Sequence, residues 1–229
     1  MPPKTLRCWV AKMNAALFNQ GCLGVVLAGG KSSRMGSNKA LLMRNKIAVN
    51  GKENMLSFSK DLLKNIGINN IVVSGSTDGI NVNSENYVTD QFAELGPMGG
   101  IYSVIKKYQP KSLLILPVDL PLMTKETLSQ LKIKGELAQK ACFYSNHFLP
   151  LYLPNNAFVE QFFTSHFLHY LQGNKGALSE KNNPKKNGPS IRSMFAQVPH
   201  QVLAVKSPQC LFNTNTPQEW QQAQQRFSV

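Results

Sequence analysis

Residues 24–42, GVVLAGGKSSRMGSNKALL, constrain the fold more than any other stretch of the chain. Val25, Val26 and Leu27 form a continuous apolar run, the pattern of a parallel strand buried on both faces. Ala28, Gly29 and Gly30 then remove side chains where that strand ends. Backbone N–H groups can approach a ligand closely there, and anions are the usual guests of such a loop. Lys31, Arg34 and Lys39 add three cations within nine residues. A Gly-rich turn after a buried strand, followed by spaced cations, describes a nucleotide triphosphate cradle. A tight βα turn with solvated basic residues accounts equally well for the glycines alone.

Two better-known phosphate loops are excluded. A P-loop needs G-x-x-x-x-G-K-[ST], but Gly30 and Gly36 stand one residue too far apart and Ser37 follows. The dinucleotide fingerprint G-x-G-x-x-G is absent, since Gly29 and Gly30 are adjacent. What remains, L-A-G-G-x-S-x-R-M-G-x-x-K from Leu27 to Lys39, resembles the signature of the nucleotidyltransferases that include molybdenum cofactor guanylyltransferase. That resemblance extends from about Gly24 to Trp220.

The 229 residues suit one α/β domain, and 42% hydrophobic content supports a packed core. A net charge of +13 and a pI near 9.7 point to anionic partners: nucleic acid, acidic membrane or phosphorylated small molecules. Lys and Arg are scattered, without the interleaved aromatic–basic repeats that stack on single strands, so no specific nucleic acid is expected. No apolar stretch reaches the roughly 18 residues needed to span a bilayer, and no membrane partner is expected. Cys8, Cys22, Cys142 and Cys210 form no C-x-x-C pair, which suits free thiols in a cytoplasmic setting. Residues 1–21 carry Lys4, Arg7 and Lys12 without an apolar h-region. They read as a flexible extension, with Met13 as an alternative start, ahead of a single domain over 22–229.

Along the chain, a loose hairpin is expected between Lys39 and Glu53. Asn54 then caps a helix with the apolar stripe Met55, Phe58, Leu62, Leu63 and Ile66, ended by Gly67. Strands follow at Ile71–Val73 and Tyr87–Thr89, the second delivering Asp90. The loop Gly96–Gly100 opens a helix carrying Ile101, Val104 and Ile105. Leu113–Leu116, the most apolar strand, delivers Pro117-Val118-Asp119-Leu120-Pro121, and Thr124 caps the next helix. This alternation implies a mostly parallel central sheet in a three-layer, Rossmann-like α/β fold with ligands at the strand carboxyl ends. Two strands are expected at 141–144 and 148–153, a helix at 157–171, and a flexible basic insertion near 173–188. A short helix is expected at 191–195. A last strand is expected near Leu211-Phe212-Asn213, before the capping box Thr216-Pro217-Gln218-Glu219.

Asp119 is the leading metal-ligand candidate. A carboxylate at the end of an apolar strand is costly to desolvate unless a cation meets it, and Mg2+ takes one or two carboxylates plus phosphate oxygens and waters. A helix-cap role is already filled by Thr124. The resemblance implies more. It makes Asp119 the magnesium-holding aspartate in a P-x-D-x-P context. It makes Arg34 and Lys39 catalytic beside Asp119, and Leu27, Ala28, Gly29, Gly30, Lys39, Asp90, Gly99 and Asp119 the nucleotide-binding set. Asn213 and Asn215 resemble the family's N-x-N-T-P motif, and Arg192 its helix facing the pterin. His147 and Pro150 fall on the matching pterin-side strand. Each has a structural alternative: a turn carboxylate for Asp90, helix-entry glycines for Gly99 and Gly100, turn amides for Asn213 and Asn215. Ser74-Gly75 departs from the amide side chain that relatives often carry.

The implied activity is a Mg2+-dependent transfer of GMP from GTP to the terminal phosphate of molybdopterin or Mo-molybdopterin, releasing pyrophosphate. Other molybdenum cofactor biosynthesis proteins and apo-molybdoenzymes are further partners that the resemblance admits. Two alternatives stay open on the sequence. One is a related transferase using CTP or another phosphorylated acceptor. The other is a basic nucleic-acid or partner-protein adaptor on a degenerate transferase fold, against which the intact Arg34, Lys39 and Asp119 set argues.

Overall fold

A computed structural model describes residues 21–29, 38–48, 51–75, 86–90, 92, 95–171 and 188–227. Gly30, Lys31, Arg34, the extension before residue 21 and nearly all of the basic insertion lie outside the described residues. The chain runs through β1 (Cys22–Leu27), a 3-10 turn at Lys39–Leu41, and the hairpin strands β2 (Met43–Ala48) and β3 (Gly51–Asn54). Helix α1 (Met55–Asn65), β4 (Ile71–Gly75), β5 (Tyr87–Thr89), α2 (Pro97–Tyr108), β6 (Ser112–Pro117) and α3 (Lys125–Ala138) follow. The second half holds β7 (Ala141–Tyr144), β8 (His147–Pro154), α4 (Ala157–Leu171), α5 (Ile191–Met194) and β9 (His200–Leu203). A 3-10 turn at Pro208–Leu211 and α6 (Pro217–Gln225) complete it.

Seven strands form one sheet in the order β5-β4-β1-β6-β8-β7-β9. β4, β1 and β6 pair in parallel, as do β4 with β5 and β7 with β9; β8 runs against both its neighbours. The mostly parallel sheet is therefore as the sequence implies. Its central strands are apolar throughout because both faces are covered. Val26, Leu114, Leu116 and Tyr152 pack under α1, α3 and α6 with Leu63, Leu131 and Trp220. Val25, Leu27, Leu113 and Ile115 pack under α2, α4 and α5 with Ile101, Phe162 and Met194.

The helix starts follow local chemistry. Asn54 and Ser57 exchange a capping box at α1, the Asn54 Oδ1 accepting from the Ser57 N–H at 2.8 Å. Gly67, at φ +81°, closes that helix end. Thr124 caps α3, and Thr216 with Glu219 caps α6, with Pro217 at its first turn. At α2 the helix begins one turn earlier than a Gly96–Gly100 loop implies. Gly96, at φ +62°, makes the turn, Pro97 starts the helix, and Gly99 and Gly100 lie within its first turn.

The strand expected near Leu211-Phe212-Asn213 is absent. Pro208 sets a 3-10 turn, from which Cys210 and Leu211 bury their side chains without joining a ladder. The last strand is instead β9, an edge strand of which only Leu203 is buried, so its apolar pattern is too sparse to stand out in sequence. No helix among the described residues is long and apolar enough to cross a membrane. Cys22, Cys142 and Cys210 are free thiols.

Gly135, inside α3, lets that helix lie directly on Tyr152 of β8. A Cβ there would overlap the ring, including Cε1 at 2.8 Å, and Tyr152 is only 2% exposed. Gly135→Ala should therefore destabilise the fold by about 1–3 kcal/mol through overpacking, outweighing the ~1 kcal/mol of helix propensity gained. The urea midpoint measures this, and an unchanged or raised midpoint would contradict the packing.

Candidate active site

The carboxyl ends of β4, β1 and β6 stop level with one another. Leu27 pairs with Ser74 on one side and with Pro117 on the other. The ladder runs on past both strands: the Ala28 N–H donates to the Ser74 carbonyl at 2.8 Å, and the Val118 N–H to the Leu27 carbonyl at 3.2 Å. One strand further out, Thr89 pairs with Gly75, so the next residue, Asp90, joins the same rim. Leu27, Ala28, Gly29, Ser74, Gly75, Asp90 and Asp119 are thereby gathered at the crevice where open α/β sheets bind ligands.

Lys39 reaches this rim from the far end of the signature. Asn38 caps the short 3-10 turn, its Oδ1 accepting from the Ala40 N–H at 3.1 Å, and fully buried Ala40 anchors the turn in the core. The Lys39 Nζ donates to Asn215 Oδ1 at 2.6 Å and lies 3.5 Å from Asp119 Oδ2. Asn215 is positioned in turn by its own segment. The Thr214 N–H donates to the Asp119 carbonyl at 2.9 Å, and the Glu219 carboxylate accepts from the N–H groups of Asn215 and Thr216 at 2.7 and 2.8 Å. The Asn215 N–H leads in holding the Glu219 carboxyl below its ordinary range.

Asp119 is the most strained member electrostatically. Burial raises its carboxyl above the ordinary value; Lys39, and more weakly Asn213, pull it back. Its Oδ1 is buried and, among the described residues, meets no hydrogen bond of good geometry, even with the Asn213 side chain nearby. Asp90 is shifted in the same direction. Burial raises it, while the Phe92 N–H, donating to Oδ1 at 2.8 Å, and Ser103 lower it.

The glycines answer first to the chain itself. A Cβ on Gly99 would overlap the Phe92 carbonyl and stand 3.0 Å from Asp90 Oδ1, and one on Gly100 would stand 2.7 Å from Ser74 Oγ. Gly75, at φ +154°, meets Ala28 and Gly29 backbone to backbone, a Cβ there coming within 2.8 Å of the Gly29 Cα. Gly75 is the positional requirement that the sequence reading passed over, although a glycine ending an apolar strand beside a second Gly-rich strand end was its signal. The Ser74 hydroxyl, 1% exposed, finds no hydrogen-bond partner among the described residues. Away from the rim's centre, Arg192 is exposed on α5, and His147 opens β8 next to β6.

A lysine–carboxylate pair and closely packed glycines share the parallel strand ends, and family membership makes the chain a nucleotidyltransferase. The chain belongs to the MobA-like NTP transferase domain family, whose profile it matches over residues 24–176. It is 32% identical over 202 residues to the molybdenum cofactor guanylyltransferase of Xanthomonas euvesicatoria pv. vesicatoria (strain 85-10), across 86% of this chain and 91% of that protein. The molybdenum cofactor guanylyltransferase of Campylobacter jejuni subsp. doylei is 32% identical over 100 residues, 42% of this chain and about half, 48%, of that protein. A nucleotidyl transferase from Methanothermobacter thermautotrophicus superposes with a TM-score of 0.61 at 13% identity, over 92% of this chain and 99% of the other. The 2-C-methyl-D-erythritol 4-phosphate cytidylyltransferase of Thermus thermophilus gives 0.57 at 10% identity, over 91% and 100%. At those identities the two structures show a shared fold.

Gly75→Ala should push the Ala28–Gly29 turn off the end of β4. A displacement near 1 Å at positioning groups lowers turnover on the order of 10²-fold. A fall of that size in kcat/KM for the nucleotide, with the circular dichroism spectrum retained, is the expected result. Unchanged kinetics would show that this backbone contact does not position the crevice.

Proposed function

We propose that this chain transfers GMP from GTP to the terminal phosphate of molybdopterin or Mo-molybdopterin and releases pyrophosphate. The observation that carries the reading is the junction of Lys39, Asp119 and Asn215 at the strand ends, in a family whose relatives bear the name molybdenum cofactor guanylyltransferase.

The acceptor phosphate, a monoester with a second pKa near ~6, is already an ionised nucleophile at neutral pH. Its oxygen attacks the α-phosphorus of GTP, forming one P–O bond as the bond to pyrophosphate breaks. No general base is needed, and the barrier is largely electrostatic, an anion meeting a polyanion. Lys39 is suited to that work. Its ammonium, on a side chain 17% exposed and oriented by two partners, faces the growing charge without having to reorganise. Arg34 and the loop N–H groups of Gly29 and Gly30 complete the cradle in this reading, with Leu27, Ala28, Asp90 and Gly99 bordering the nucleoside. Arg192, Asn213 and Asn215 serve the phosphates or the second substrate.

Asp119 suits a divalent cation. Its buried Oδ1 lacks a hydrogen bond among the described residues, and its neighbour Asn213 offers a neutral amide. Among the described residues no three His, Cys, Asp or Glu side chains gather into a metal-holding group. One carboxylate completed by phosphate oxygens and waters is the habit of Mg2+, the cation we assign here. When bound it would neutralise phosphate charge and fix the geometry of attack.

For base choice, the backbone at Ala28–Gly30 is the reader of guanine O6, N1–H and N2–H. Each buried polar group left unpaired by a wrong base costs on the order of 1–3 kcal/mol, so two give roughly 10²-fold preference at ~1.4 kcal/mol per decade. Pyrophosphate release with each of the four nucleotides, with and without molybdopterin, tests the reading. GTP should lead in kcat/KM by about that factor, and equal use of CTP would promote a cytidylyl transferase. Asp119→Asn should lower turnover by on the order of 10²–10³-fold or more with little change in stability, and near-normal rates at saturating magnesium would remove Asp119 as the ligand. Lys39→Ala should lower kcat about 10²-fold. A raised KM at constant kcat would reduce Lys39 to uniform ground-state binding.

A further inference from the structure

Three successive N–H groups ahead of α6 are engaged. That of Thr214 donates to the Asp119 carbonyl at 2.9 Å, and those of Asn215 and Thr216 both donate to Glu219 Oε2, at 2.7 and 2.8 Å. A capping box accounts for only part of this. It has the carboxylate accept from the N-cap N–H, here Thr216, while the N-cap hydroxyl accepts from the Glu219 N–H, here at 3.2 Å. The bond from Asn215, one residue before the cap, is surplus to that motif and is the shorter of the two. The Asn215 backbone is thus fixed on both sides, and its side-chain Oδ1 accepts from the Lys39 Nζ at 2.6 Å.

Lys39 needs such a guide. Its ammonium is a compact charge on a flexible four-carbon stem. The 3.5 Å separation from Asp119 Oδ2 leaves the lysine loosely held on that side, so the bond to Asn215 is the tighter of its two contacts. The Glu219 carboxyl, held below its ordinary range chiefly by the Asn215 N–H, also feels the Lys39 charge more weakly. Lys39 therefore lies between two carboxylates, Asp119 in contact and Glu219 by way of Asn215. Building on the guanylyl-transfer reading, we propose that Glu219 is a positioning residue: it sets the backbone of Asn215, whose side chain holds the Lys39 ammonium beside Asp119, where charge grows in the transition state. A charge fixed in advance stabilises that state without reorganising. At metal sites, partners that orient the reacting groups in this way cost about 10–100-fold in activity when removed.

Kinetics and stability of the full chain test this together. Glu219→Ala should lower kcat on the order of 10-fold, with the KM for GTP and for molybdopterin within about twofold. Glu219→Gln, which keeps an acceptor oxygen at the same reach, should hold kcat within about threefold of wild type. Thr216→Ala breaks the other half of the capping box and should lower the urea midpoint much as Glu219→Ala does, yet leave kcat within about twofold. An equal fall in kcat for Thr216→Ala would mark a merely structural cap and overturn the proposal. Glu219→Ala combined with Asn215→Ala should be no slower than Asn215→Ala alone; multiplied losses would show that Glu219 does not act through Asn215, and overturn it. One readout needs no turnover. In lysine-selective nitrogen NMR, a hydrogen-bonded ammonium gives a resolved signal, assigned to Lys39 by its loss in Lys39→Arg. Glu219→Ala should lose that signal and Thr216→Ala keep it, and its absence from wild type or its survival in Glu219→Ala overturns the proposal. Dependence of the signal on Glu219 without any GMP transfer by wild type would refute the guanylyl reading and leave the positioning role standing. GMP transfer by Glu219→Ala at the wild-type kcat would do the reverse.

Discussion

A carboxylate at the mouth of a buried strand organises this molecule. Leu113 to Leu116 are at most 1% exposed, and two residues past β6 the chain presents Asp119 with its side chain 20% exposed. Such a group is expensive to strip of water unless cationic or hydrogen-bonding partners meet it. Lys39 supplies one, 80 residues away in sequence, and Asn215 fixes Lys39 from the other end of the chain. One desolvated charge thereby brings the signature, the central strand and the C-terminal motif to a single point. The demand is only half met, since Oδ1 stays unpartnered among the described residues. A site that is fully satisfied within the protein would have no electrostatic reason to take up a cation or a phosphate.

A second tie works behind the first. Arg44, in β2, is 7% exposed, with its guanidinium 3.5 Å from the Phe58 ring centroid, 4.7 Å from that of Phe227, and 3.4 Å from Glu53. Phe58 belongs to α1 and Phe227 follows α6, so the hairpin after the signature, the first helix and the chain's last described turn meet on one cation. Buried pairs of this kind are weak evidence for stability. Their consequence here is orientation. The segment carrying Asn215 is held at its start by Asp119 and Glu219 and beyond its end by Arg44, so Asn215 has little freedom to leave Lys39.

What could be read in the sequence follows from how far each determinant reaches. Caps at Asn54, Thr124 and Thr216 are contacts over three residues and were legible, as were the strands whose apolar runs need no partner to be recognised. β9 was not. It is an edge strand whose place depends on pairing with β7, 59 residues away, while the Cys-Leu-Phe run at 210–212 imitated a strand by composition. The candidate site was legible as a set of residue types through the family signature. The contacts within it were not, because Lys39–Asp119 and Lys39–Asn215 exist only after the sheet has formed.

The glycines join these two levels. Gly75 is required because β1 and β4 end with their backbones in contact, and Gly99 and Gly100 because the first turn of α2 lies against Phe92, Asp90 and Ser74. A signature read only as ligand clearance would assign these residues to binding, whereas the space that a Cβ would take is already occupied by protein. The two accounts converge. Removing the side chains draws four strand ends into one narrow rim, at which the Ser74 hydroxyl and the Asp119 Oδ1 are buried without a hydrogen bond among the described residues. The packing requirement and the binding requirement therefore select glycine at the same positions, and a substitution there perturbs the crevice by way of the fold.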